Sequence, residues 1–128
     1  MERVQGIGGI FFKSKDPKAL AAWYAEKLGV PVEDWGGAVF PWSQQSDPGG
    51  ASTVWNAFSA DTDYFAPSAA SFMVNFRVRD LDAMLAQLRA AGVHVFDKVE
   101  RSEFGAFGWC SDPEGNKIEL WEPPAGEA

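Results

Sequence analysis

The feature that most constrains this chain is that it repeats itself once. Superposing Asp16 on Asp80 aligns IFFKSKDPKAL (10–20) with VNFRVRDLDAM (74–84), an apolar strand leading into a capped helix in both cases. The match continues beyond the helices. AVFPW (38–42) parallels AFGWC (106–110), and Asp47-Pro48-Gly49-Gly50 parallels Asp112-Pro113-Glu114-Gly115. STVWNAF (52–58) then parallels KIELWEP (117–123). Proline at the second turn position and glycine at the fourth suit a tight connection between antiparallel strands. Solenoids need three or more repeats, so two such halves must pair with each other.

Helix boundaries are written in the same segments. Asp16 with Pro17 gives an N-cap followed by proline at the first helical position, and Gly29 supplies the stop. Leu20, Trp23, Tyr24 and Leu28 keep helical spacing between them. Asp80 opens the second helix, Gly92 closes it, and Leu81, Met84, Leu85 and Leu88 form its apolar stripe. A short strand is expected after each helix, at Val30-Pro31-Val32 and Val93-His94-Val95. The fold class is therefore α+β. One domain spans 1–128, with repeat one at about 5–60, a linker at about 61–71 and repeat two at about 72–123.

Composition narrows the function. A formal net charge of −7 argues against nucleic acid, which is recognised by basic stripes. No run of eighteen apolar residues exists, and Met1-Glu2-Arg3 does not open a signal peptide. The single Cys110 has no intramolecular partner, so a reducing, cytoplasmic location without membrane attachment is expected. Six Trp in 128 residues exceed what one small core needs, and surplus aromatics line small-molecule pockets.

The Asp-capped helix with Trp23-Tyr24, the segment FMVNFRVRDLDAMLAQLRAAGV (72–93) and above all DPEGNKIELWEP (112–123) resemble the vicinal-oxygen-chelate superfamily, in its glyoxalase-like/bleomycin-resistance branch. The resemblance covers nearly the whole chain. It implies two βαβββ repeats whose strands form curled mixed sheets around a cup, with the helices outside. Members commonly dimerise, and a homodimer is expected here.

Strand parity then assigns faces. Val74, Phe76 and Val78 belong to the helix side, which turns Met73, Asn75, Arg77 and Arg79 toward the cup or its rim. Gly9, Phe11, Lys13 and Lys15 are their counterparts in the first strand. In the last strand Lys117, Glu119 and Trp121 face the cup, paralleled by Ser52, Val54 and Asn56. Metal-dependent relatives carry one ligand on each of four strands, and the resemblance places these at Gly9, Met73, Glu119 and Val54. Glycine and valine offer no donor, and a thioether suits only soft ions. Neither a metal nor another cofactor is expected.

The leading expectation is a protein that binds a small aromatic or cationic organic molecule, with Phe11, Asn75, Arg77, Trp109 and Trp121 as ligand contacts. The alternative is a lyase, isomerase or dioxygenase of the superfamily, with Glu119 as base or metal ligand. A third reading is a structural module whose cup is filled by its own side chains. Glu119 itself reads either as a functional carboxylate with a raised pKa or as a scaffold residue bonded across the sheet. Arg77 reads as an anion contact or as a solvated rim charge. Gly6-Ile7-Gly8-Gly9 precedes a strand and so makes no phosphate loop. His94 and Cys110 lack the settings of a triad or of an activated thiol.

Overall fold

The computed structural model describes residues 1–43 and 50–125. Its elements are β1 (Gly6–Ser14), α1 (Pro17–Leu28), β2 (Ala38–Pro41), β3 (Ser52–Ser59), β4 (Phe72–Arg77), α2 (Leu81–Ala90), β5 (Glu100–Ser102), β6 (Gly105–Ser111) and β7 (Lys117–Glu122). Together they make one seven-stranded, curled and unclosed mixed sheet with two helices, in the order β2-β3-β1-β4-β7-β6-β5. In each half the first strand lies parallel to the last, β1 with β3 and β4 with β7, and the helix forms the crossover. The halves join within the chain through the antiparallel pair β1–β4.

Both helix starts follow from their aspartates. Asp16 accepts from Ala19 N–H at 3.1 Å and Asp80 from Ala83 N–H at 3.0 Å, each satisfying a donor that the first turn leaves free. Gly29, at φ 70°, ends α1 by donating to Ala25 O, a left-handed position that suits glycine. The DPEGN turn is equally local. Asp112 accepts from the backbone of Glu114 and Asn116 and from the Asn116 amide, and Gly115 takes φ 84°. Its counterpart at 47–49 lies outside the described residues.

Two expectations change. Residues 30–32 are not a strand: Pro31 has no N–H to give a ladder, and Val32 N–H turns back to Val30 O. Val95 makes only an isolated bridge to Cys110, and the strand that follows α2 is β5 instead. The stripe on α1 also differs. Ala21 is the buried residue and Tyr24 packs on Trp55, while Trp23 and Leu28 stay exposed.

The sheet has two apolar faces. On the helix side, Val78, Leu81, Met84, Leu85, Cys110 and Leu120 pack together under α2. On the concave side, Phe65, Met73 and Trp109 form a second cluster with Phe11, Phe58 and Phe107 around it. Phe65 belongs to the linker, which therefore folds into the cup.

Candidate functional site

Register brings the polar centre of the cup together. Asn75 on β4 lies opposite Glu119 on β7, and Trp109 on β6 lies opposite Glu119 from the other side. The Asn75 amide donates to Glu119 Oε1 at 2.6 Å and the Trp109 indole to Oε2 at 3.0 Å. Tyr64, delivered by the linker, donates its hydroxyl to the same Oε2. Glu119 is only 2% exposed, and burial pushes its pKa up although these three donors and the Lys117 charge oppose the shift. The Tyr64 phenol is raised as well, by burial first and then by the Glu119 charge. Asn75 Oδ1 is buried without a hydrogen-bond partner.

Room for this centre comes from glycine. A β-bulge falls between Ile7 and Gly9, and a Cβ on Gly8 would stand 2.4 Å from Asn75 Oδ1. At Gly9 a Cβ would come within 2.7 Å of the Phe11 ring. The glycine run thus serves close approach inside the cup.

Two residues along on the same face, Arg77 is sandwiched between indoles, 5.9 Å from Trp42 and 5.4 Å from Trp121. It is 2% exposed, so the rim reading is corrected: the aromatic faces draw the guanidinium inward. Trp121 also stacks on Phe107 and donates to Phe104 O at 2.8 Å. Phe11 packs on Phe58 at 5.4 Å and does not reach Glu119's hydrogen bonds. Of the six residues singled out in the sequence, Asn75, Trp109 and Glu119 converge, Arg77 and Trp121 form a neighbouring pair, and Phe11 is wall.

A hollow of about 230 Å³ is bounded by Asp63, Tyr64, Phe96, Lys98, Trp109 and Lys117, of which Tyr64 and Trp109 are hydrogen-bonded to Glu119. The Lys117 ammonium sits 5.4–5.5 Å from the Tyr64, Phe96 and Trp109 rings and donates to Tyr64 O at 2.9 Å. Burial and then the Lys98 charge hold its pKa below the usual lysine value, against Glu119, Asp63 and Glu100. A second hollow, of about 530 Å³ between α1 and residues 32–36, is larger, but none of its walls touches the Glu119 centre, so the site is placed at the hollow walled by Tyr64 and Trp109.

The occupied ring faces bear on ligand charge. Lys117 and Lys98 already lie over Trp109, and Arg77 lies over Trp121. A cationic ligand would meet these charges where its own cation–π contact should form.

Sequence reading missed Tyr64 and Phe65 as parts of the site, and it placed Lys117 in the cup and counted Trp42 among the surplus aromatics without making either a ligand contact. The only signal for the first two is an aromatic pair inside the polar stretch DTDYFAPSAAS (61–71).

The metal places implied by the resemblance do not fit a divalent ion. The space beside Gly9 is taken by the Phe11 ring, Val54 has no donor atom, and Met73 is fully buried in the apolar cluster. Glu119 spends both oxygens on Asn75, Trp109 and Tyr64. Among the described residues no three His, Cys, Asp or Glu side chains come together as a ligand set. Cys110 is buried, and burial pushes its thiol up to about 11, away from thiolate chemistry. No described helix is long and apolar enough to cross a membrane.

Comparison with known proteins places this geometry. No curated protein sequence matches the chain. Among solved structures, methylmalonyl-CoA epimerase from Mycobacterium tuberculosis shares 23% identity over 94% of this chain and 89% of its own, with a TM-score of 0.62. A variant of the Streptomyces coelicolor methylmalonyl-CoA epimerase, in complex with 2-nitronate-propionyl-CoA, gives 18% identity, 98% and 99% coverage and a TM-score of 0.72. A glyoxalase/bleomycin resistance protein/dioxygenase superfamily member from Vibrio splendidus 12B01 gives 11%, 95% and 99%, and 0.58. At these identities the likeness is one of fold. The profile of the glyoxalase-like domain matches residues 9–121, nearly the whole chain. This protein therefore belongs to the glyoxalase-like domain family.

Proposed function

We propose that this protein binds a small aromatic organic molecule, without a metal, in the hollow walled by Tyr64 and Trp109. One observation carries the reading: a buried carboxyl, at a place where the resemblance puts a metal ligand, is held by Tyr64 and Trp109, which are themselves walls of a partly aromatic hollow. The Tyr64, Phe96 and Trp109 rings supply apolar wall area, and the polar groups among them fix orientation. Trp109 is the reporter. Protein purified without chelator is titrated with a series of small aromatics while Trp fluorescence is followed, and its metal content is measured in the same preparation. A saturable response with metal well below one equivalent is expected. One equivalent of zinc, iron or manganese, removable by chelator with loss of stability, would sink the metal-free reading.

A second reading has its own support. Burial raises the pKa of Glu119, and a carboxyl moved toward neutrality is suited to take and return a proton. Consumption of a bound compound, lost in Glu119→Gln while binding persists, would make the protein an enzyme.

The proposal includes a homodimer and a reducing, cytoplasmic location. The unclosed sheet leaves β2 and β5 as edges, and β2 exposes Val39 and Phe40. Light scattering at micromolar concentration should give twice the 14.0 kDa chain mass, and a monomer mass would refute the dimer.

A further inference from the structure

One wall of the hollow is a phenol, and that phenol belongs to the chain itself. The Tyr64 ring stacks on Phe58 at 5.6 Å with an interplanar angle of 14°. It meets Trp109 edge-on at 6.3 Å, and its hydroxyl donates to Glu119 Oε2. These contacts suit a flat ring that carries one hydrogen-bond donor.

The two linker aromatics are held differently. Phe65 is fully buried among Met73, Trp109 and Phe58, and it anchors the linker. Tyr64 is half-buried and borders the open hollow, so its ring can rotate outward while Phe65 stays in place. Rotation would vacate the face of Phe58, the edge of Trp109 and one acceptor position on Glu119. A benzoate would bring its carboxylate against that of Glu119. An aryl ammonium would gain the Glu119 charge but would bring a second cation next to Lys117, with Lys98 also in the hollow. A ring without a donor would leave the acceptor position unused, which costs binding.

Resting on the reading proposed above, we infer that the ligand is a phenol-type aromatic. It takes the place of the Tyr64 ring, donates its hydroxyl to Glu119 Oε2, and has Tyr64 as a built-in competitor. Tyr64 is then the residue that sets both the affinity and the chemical class of the ligand.

The probe is 4-methylphenol, with toluene and 4-methylbenzoate as controls, titrated into the full chain by calorimetry and Trp fluorescence. The wild type should bind 4-methylphenol about tenfold or more tighter than toluene, the difference of one hydrogen bond to a carboxylate. Tyr64→Ala should bind it about tenfold or more tighter than the wild type does, because the competitor is gone. Tyr64→Phe, which keeps the ring and its packing, should fall between the two and guards against a misfolded alanine variant. If wild type and variants bind 4-methylphenol and toluene equally, the phenol inference is overturned and the broader binding reading stands. If Tyr64→Ala binds 4-methylphenol while wild type and Tyr64→Phe bind no aromatic of the series, Tyr64 is a permanent plug and both readings fall.

Discussion

Glu119→Ala should lower the unfolding free energy by about 2–6 kcal/mol in urea titration, since each buried donor left unpaired costs about 1–3 kcal/mol. The Asn75 amide and the Trp109 indole both lose their acceptor in the cup. Glu119→Gln should behave quite differently. Its remaining oxygen still accepts from Tyr64 and Trp109, and its new amide can donate to Asn75 Oδ1, which has no partner in the wild type, once the Asn75 amide turns over. The net change should stay within about 1 kcal/mol. The two variants also separate by pH. Burial raises the folded-state pKa of Glu119 above the ordinary carboxylate value of 4.5. Between those two pKa values the folded state holds the proton that the unfolded state has released. Stability is therefore fully present below the unfolded value and falls as pH rises through the folded one. The slope reaches at most about 1.4 kcal/mol per pH unit. Glu119→Gln should abolish that slope, and an unchanged slope would show that another group causes it.

Phe65→Ala should be the most damaging substitution in the linker, at about 3–5 kcal/mol, the usual loss for truncating a buried phenylalanine. Phe65 has no solvent exposure and packs with Met73, Trp109 and Phe58 on the concave face. Phe104→Ala is the matched control, because Phe104 is 67% exposed and should shift stability by no more than about 0.5 kcal/mol. Equal small losses in both variants would mean that the linker does not hold the cup together. A large loss at Phe65 alone supports the division of labour between a fixed Phe65 and a displaceable Tyr64.

Much of the frame was legible because it rests on local rules. The two aspartate caps, Gly29 and the DPEGN turn satisfy their hydrogen bonds within a few residues, so their chemistry stands in the text of the chain. Face assignment in β4 and β7 was legible for the same reason, since a period of two depends only on the backbone. Asn75 and Glu119 could thus be named as cup residues, whereas Trp109 on β6 entered only as one of the surplus aromatics. The missed strands are instructive. Val30-Pro31-Val32 has a strand-forming composition, yet proline and the lack of a neighbouring ladder leave it outside the sheet. Glu100–Ser102 has little β-propensity but pairs with β6 across a tight turn.

The sequence by itself determined the repeat, the capped helices and the inward position of Glu119, and it removed the donors from the other metal places. Tertiary structure decided what fills the cup. The linker carries Tyr64 and Phe65 into contact with residues as distant in the chain as Glu119 and Trp109, and no local pattern encodes that meeting. It also turned Arg77 from a rim charge into a guanidinium between two indoles, one delivered from the end of β2 and the other from β7. The physical reason is the same in both cases. Periodicity and capping are fixed by backbone geometry within a few residues, whereas burial of a polar group depends on which partners the sheet order brings to it.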